Sequence, residues 1–328
     1  MNFDTNQPQT PKVPPEGDLG GSDCFISVSS LSKTYEKGSV LAVKEVSFSV
    51  SKGEIFGLIG PDGAGKTSIF RMLTTLLIPD SGTAQVLGYD VVKDYRKIRN
   101  EVGYMPGRFS LYPDLSVEEN LNFYASIFGT TIEENFHLIR DIYVQIEPFK
   151  KRKAGQLSGG MKQKLALCCA LIHKPKVLFL DEPTTGIDPV SRKELWEMLR
   201  KLKSENICII VSTPYMDEAV QCDRIALMQQ GEIMKIDTPQ SIVDQFDKPL
   251  YAVGADDTYK LLKVLEQYPN RINSYAFGEF AHIVTEGGEY QLNDFLKKSG
   301  LKNVTINTLE ATIEDCFIDL SASSVDEG

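Results

Sequence analysis

The chain reads as an α/β protein built on a parallel core sheet, and two segments carry that prediction. The apolar run Ile55-Phe56-Gly57-Leu58-Ile59 leads directly into Gly60-Pro61-Asp62-Gly63-Ala64-Gly65-Lys66-Thr67. A second apolar run, Val177-Leu178-Phe179-Leu180, ends in the paired acids Asp181 and Glu182. Short apolar runs of this kind suit strands buried on both faces, and doubly wound sheets carry their ligands at the carboxyl ends of such strands. A further order of short strands and helices after residue 246 adds a smaller α+β module.

Residues 1–23 are rich in Pro, Gly, Asn and Asp with little to bury, which predicts a disordered tail. Alternating runs follow, Phe25-Ile26-Ser27-Val28 and Val46-Ser47-Phe48-Ser49-Val50, with a turn at Ser51-Lys52-Gly53-Glu54. They predict an antiparallel β-layer beside the core. The glycine-rich stretch after Ile59 fits the phosphate-binding pattern G-x-x-x-x-G-K-[ST]. Glycines let the backbone curl until successive N–H groups face an anion, and the next helix adds its positive end. Lys66 can then reach the β- and γ-phosphates, and the Thr67 hydroxyl can ligate Mg²⁺.

From Asp90 to Gln156 the pattern turns helical. Ser116 followed by Glu119 fits a capping box, and Leu121, Tyr124, Ile127 and Phe128 recur at helical spacing. Leu157-Ser158-Gly159-Gly160-Met161-Lys162-Gln163 precedes the second core strand. At that strand's end, Asp181 suits a Mg²⁺ ligand, directly or through water, and Glu182 is placed to polarise an attacking water.

Taken together, these motifs resemble the nucleotide-binding subunit of ATP-binding cassette (ABC) transporters, from about Cys24 to Gln245. The wording Pro183-Thr184-Thr185-Gly186-Ile187-Asp188-Pro189 and Tyr215-Met216-Asp217-Glu218-Ala219 is similar to the drug- and metabolite-exporter branch with a separate permease. The resemblance implies a P-loop NTPase cassette of three parts: a parallel core sheet, an antiparallel β-layer and a helical subdomain. It implies an ATP and Mg²⁺ site built by Gly60, Asp62, Gly63, Ala64, Gly65, Lys66, Thr67 and Ser68, with Thr67 and Asp181 on the metal and Glu182 catalytic. Tyr35 stands where an aromatic stacks on adenine. Ser158, Gly159 and Gly160, with Asp188 of the following loop, would contact nucleotide across a head-to-tail dimer. The partners implied are a transmembrane permease and a second ABC subunit, identical or different, at the cytoplasmic face of the cell membrane. Arg108, Phe109, Leu111 and Tyr112 begin the surface that would dock on the permease, or else serve as core of the helical subdomain.

Two positions depart from the family pattern. Gly107 follows Val102-Gly103-Tyr104-Met105-Pro106 where the family has Gln, and Pro214 follows Ile209-Ile210-Val211-Ser212-Thr213 where it has His. Proline has no N–H and no titratable group. ATP binding should survive, while hydrolysis either slows, depends on a partner, or draws on another group such as Thr213 or Tyr215. The alternative reading is therefore a degenerate cassette that binds ATP and complements a second ABC subunit in a heterodimer.

After the cassette (24–245), residues 246–328 order as strand, helix, two strands, helix, strand, which predicts a ferredoxin-like accessory module. A closing helix falls near Thr312–Leu320. His282 within it reads as a packing residue rather than a ligand. No run of about 18 apolar residues occurs, so no membrane span is expected, and no secretory signal is read at the start. The six cysteines lack CxxC spacing and read as buried free thiols. A net charge of −10 argues against a nucleic-acid partner. The stretch from Thr67 to Leu157 is also too short for the coiled coil of chromosome and repair ATPases.

Overall fold

A computed structural model describes residues 23–35 and 39–323, so the tail expected over 1–23 lies, but for Asp23, outside the described residues. Two compact units form. The first takes residues up to Glu54, Thr67–Phe179 and Gly186–Ile209. The second takes Ile55–Lys66, Leu180–Thr185 and the chain from Ile210 onward.

In the first unit, β1 (Cys24–Tyr35) and β2 (Val40–Ser51) pair antiparallel. Ile26, Val28, Val46, Phe48 and Val50 bury at every second position, because strand side chains alternate faces. Beyond β3 (Ile55–Ile59) and α1 (Lys66–Leu73), β4 (Ser81–Val86) and β5 (Tyr89–Asp90) complete a sheet of order β2-β1-β4-β5. The antiparallel β-layer predicted from the alternation is therefore present.

The helical region follows. It comprises α2 (Tyr95–Glu101), β6 (Val102–Met105), α3 (Val117–Ile127), α4 (Phe136–Ile146) and α5 (Gly159–Leu171). The capping box at α3 forms as predicted. Ser116 Oγ accepts the Glu119 N–H at 3.2 Å, and Glu119 accepts the Ser116 N–H at 2.7 Å. Ile139, Ile142 and Ile146 bury at helical spacing on α4, which packs against α5.

The core strands are β3, β7 (Val177–Asp181), β8 (Cys208–Thr213), β9 (Arg224–Gln229) and β10 (Glu232–Asp237), with α6 (Pro189–Ser204) between β7 and β8. They form a six-stranded sheet with β6, in the order β10-β9-β3-β8-β7-β6. Every residue of β3, β7 and β8 is buried, as strands covered on both faces must be.

The second unit continues through α7 (Pro239–Asp244) into β11 (Leu250–Gly254), α8 (Thr258–Leu265), β12 (Arg271–Phe277), β13 (Phe280–Thr285), α9 (Glu289–Lys298), β14 (Thr305–Thr308) and α10 (Ile313–Ser323). The four strands are antiparallel in the order β12-β13-β11-β14. Numbered within this segment that is 2-3-1-4, the ferredoxin-like arrangement. Tyr251, Val253 and Ile283 pack with Leu261, Leu265 and Leu292 of the two helices.

His282 lies among residues of the same segment. Its ring stacks on Phe277 at 4.2 Å, and its Nδ1 sits 2.7 Å from Asp315 Oδ1. Asp315, fully buried on α10, also accepts the Tyr275 hydroxyl at 2.5 Å and the Thr312 N–H and hydroxyl at 2.8 and 2.6 Å. Burial alone would raise the Asp315 carboxyl, but the Thr312, Tyr275 and His282 donors outweigh it and hold the group below the usual carboxylate value.

Removing that carboxylate takes the acceptor from the buried His282 ring and the half-buried Tyr275 hydroxyl, and from the Thr312 N–H and hydroxyl, at once. We predict that Asp315→Ala lowers the free energy of unfolding by about 3 kcal/mol. Because the folded carboxyl titrates lower than the unfolded one, its contribution is present above roughly pH 4 and fades as acid protonates the folded group. Urea melts of parent and variant at neutral and acid pH measure it: the gap should narrow toward low pH, and a pH-independent gap would contradict the assignment.

Candidate functional site

The loop after β3 has its shape imposed by close approach. A Cβ on Gly60 would meet the Met228 carbonyl oxygen at 2.1 Å, so only glycine fits there. Gly63 and Gly65 take φ of 81° and 101°, values that disfavour a side chain. Curled in this way, the loop turns the carbonyls of Gly60 and Pro61 toward Lys66. Its ammonium donates to them at 2.6 and 2.9 Å and is only 3% exposed.

Glu182 Oε1 lies 4.0 Å from Lys66 Nζ. Burial draws the Lys66 pKa down, and the charges of Glu182, Asp62 and Asp181 pull against it. Burial likewise raises Glu182; Lys66 opposes that shift, while Asp181 and Asp62 reinforce it. A carboxyl shifted upward at the end of a core strand is suited to taking a proton from water. Glu182 itself sits at φ 50°, in the left-handed region.

Asp181 is buried, and its Oδ1 accepts the Ser212 hydroxyl at 2.6 Å. The next residues are tied in the same way. Glu218 Oε2 accepts Thr213 Oγ1 at 2.6 Å and Thr184 Oγ1 at 3.0 Å. No site role for Ser212, Thr184 or Glu218 follows from the sequence alone. Ser212 continues β8 as a polar residue where Ile209, Ile210 and Val211 lead one to expect more apolar ones, while Thr184 and Glu218 lie within the Pro183–Pro189 and Tyr215–Ala219 stretches. Thr213, considered as a substitute for the missing His, also accepts the Tyr215 N–H at 3.1 Å. Its hydroxyl is committed to the protein interior.

In the first unit, Tyr35 and Ser68 come together, their hydroxyls 3.1 Å apart. Thr67, half-buried, follows Lys66 in the first turn of α1. Ser158 caps α5, accepting the Met161 N–H at 3.4 Å. A Cβ on Gly159 would stand 3.1 Å from the Gly186 carbonyl, and one on Gly160 would stand 3.0 Å from Ser191 Oγ. Gly159 and Gly160 thus lie close against the segment that leads into α6 and its first turn. Asp188 caps that helix, accepting the N–H groups of Val190 and Ser191 at 3.0 Å each and the Ser191 hydroxyl at 2.7 Å. Its carboxylate has a structural task within its own chain.

Gly107 is exposed just after β6, and Pro214 is half-buried just after β8. Of the residues that follow Gly107, Leu111 is buried while Phe109 and Tyr112 are exposed. Beside them, still within the first unit, is a groove of about 390 Å³ lined by Arg99, Tyr104, Pro106, Leu111, Tyr124 and Phe128, among others. Among the described residues no helix is long and apolar enough to cross a membrane. The six cysteines are free; five are buried and Cys24 is half-buried. Burial pushes the thiols of Cys168, Cys169, Cys208 and Cys222 well up.

Comparison with known proteins agrees with this geometry. Residues 43–185 match the ABC transporter family. The chain is 32% identical over 310 residues to the Nod factor export ATP-binding protein I of Mesorhizobium japonicum, covering 93% of this chain and 89% of that protein. It is 38% identical over 304 residues to the probable multidrug ABC transporter ATP-binding protein YbhF of Escherichia coli. That alignment takes in 91% of this chain and 52% of the relative, so the chain spans about half that relative's length. The dimeric structure of MJ0796, a bacterial ABC transporter cassette, superposes with a TM-score of 0.59 at 26% identity, over 65% of this chain and 98% of that one. The chain belongs to the ABC transporter family and has the fold of its nucleotide-binding cassette.

Lys66 is the one side chain of the loop that brings a full positive charge to a bound phosphate. We predict that Lys66→Ala weakens binding of a fluorescent ATP analogue by roughly 10–100-fold, the worth of one strong charge-assisted hydrogen bond. Fluorescence titration checks this, and an unchanged affinity would remove the loop from the nucleotide site.

Proposed function

We propose that this chain binds ATP with Mg²⁺ and hydrolyses it to drive an exporter through a separate transmembrane permease. The observation that carries the reading is the meeting, in one unit, of Lys66 in its glycine loop with Glu182 and the buried Asp181. Glu182 acts as the base toward water, and the P-loop from Gly60 through Ser68 holds the phosphates. Tyr35 stacks on adenine. Ser158, Gly159, Gly160 and Asp188 serve the nucleotide of a second subunit in a head-to-tail dimer.

The donors suit a small hard cation. The Asp181 carboxylate and the Thr67 hydroxyl are oxygen ligands, the kind Mg²⁺ takes alongside water and phosphate. When bound, the ion would neutralise charge on the phosphates. The protein's own part is to orient Asp181, keep Glu182 proton-accepting and hold Lys66 against the loop.

The groove lined by Pro106, Ser110 and Leu111, in the segment that also carries the exposed Phe109 and Tyr112, would receive a segment of the permease. The chain would then work as a peripheral subunit at the cytoplasmic face of the cell membrane. The names of its relatives, a multidrug and a Nod factor export protein, support export as the direction.

A second reading draws on Pro214 and the interior commitment of Thr213. With neither residue reaching a phosphate, the chain would hydrolyse slowly by itself and complement a different cassette.

Two measurements test these readings. Glu182→Gln retains the binding groups but loses the base, so light scattering with Mg-ATP should show more dimer than the parent; a persistent monomer would favour the hetero-pair. The parent's turnover should be slow, because one group acting on transition-state charge is worth on the order of 10²–10³ in rate. Pro214→His should therefore raise kcat with little change in nucleotide affinity. Parent turnover that the histidine does not improve would show that this position limits nothing.

A further inference from the structure

Ser212 has no part in the chemistry just described, yet it touches both acids. It is fully buried as the penultimate residue of β8. Its hydroxyl has one proton, donated to Asp181 Oδ1 at 2.6 Å, and its oxygen accepts the Glu182 N–H at 3.0 Å. The Ser212 carbonyl accepts that same N–H at 3.0 Å. One residue on, Thr213 is tied through Glu218 to Thr184. Two consecutive residues of β8 therefore hold both flanks of the turn in which Glu182 adopts its left-handed backbone.

We propose that Ser212 is a positioning residue for the ATPase reaction, fixing the carboxylate of Asp181 for the metal while anchoring the turn that presents Glu182. The inference rests on the function proposed above. A carboxylate with one oxygen pinned by a short hydrogen bond has a set plane, and a metal ligand held in that way binds its ion better than one left to rotate. The two bonds also differ in redundancy. If the hydroxyl is lost, the Glu182 N–H still has the Ser212 carbonyl, so the turn stays folded, whereas Asp181 Oδ1 loses this donor outright.

The test uses the full chain, with Ser212→Ala and Ser212→Cys, both of which lack a strong donor. Fluorescence of MANT-ATP is followed first without metal and then through a Mg²⁺ titration, and steady-state turnover is measured at saturating nucleotide. Metal-free affinity should match the parent, while the Mg²⁺ concentration at half response rises and kcat falls, each on the order of 10–100-fold. KM for nucleotide should barely move.

Variants with the parent's Mg²⁺ midpoint and kcat would overturn the proposal. So would an equal loss of metal-free affinity with a lowered melting temperature, which would make Ser212 a packing residue. A parent that bound no MANT-ATP would overturn the nucleotide reading itself, and this inference with it. A parent that binds, alongside variants that behave identically to it, would sink the Ser212 role alone.

Discussion

A buried ammonium sets the terms for the site. Lys66 is 3% exposed, and a cation taken out of water that far must be compensated by nearby dipoles and charges. Two carbonyls of its own loop and the carboxylates around it supply that compensation. The carbonyls can point inward only if the loop curls, which requires Gly63 and Gly65 at positive φ and Gly60 without a Cβ against Met228. The glycines, the lysine and the acids are thus one electrostatic arrangement. An incoming phosphate would exchange the loop's own carbonyls for a stronger partner.

The acids answer to a second constraint. Asp181 ends a strand in which every residue is buried, so the neighbouring strand is placed to supply it with a hydrogen-bond donor. The exit of β8 provides hydroxyls, Ser212 to Asp181 and Thr213 to Glu218. Glu218 in turn receives Thr184, closing a loop of bonds behind the catalytic candidates. Buried polar groups are tolerated when each has a partner with good geometry, and such networks hold one arrangement against alternatives.

Much of this was legible in the sequence, for identifiable reasons. The apolar runs of β3 and β7, the alternation in β1 and β2 and the Ser116–Glu119 capping box are local signals, readable from spacing alone. The β-α-β-β-α-β order after β10 was readable too, since each element carries its own period. What local sequence does not show depends on register between distant segments. Asp315 meets His282 and Tyr275 across 33 and 40 residues, and Ser212 meets Asp181 across 31. No local pattern marks such pairs. Asp188 shows a different limit: its motif suggested a nucleotide contact, and spacing to Val190 and Ser191 equally fits the helix cap it forms.

Pro214 is the place where local chemistry and network meet. Proline restricts φ and lacks an N–H, so a change in the path of the loop would be one account of the missing histidine. The bonds around it point elsewhere. The residue before it is pinned through its side chain to Glu218, and the residue after it donates its N–H back to that same threonine. Both neighbours of Pro214 are therefore tied at the Thr213 hydroxyl, which donates to Glu218 and accepts the Tyr215 N–H. None of those bonds involves a proline atom. The direction of the chain leaving β8 is thus set by Thr213 and Glu218, and what position 214 lacks is an imidazole rather than a route.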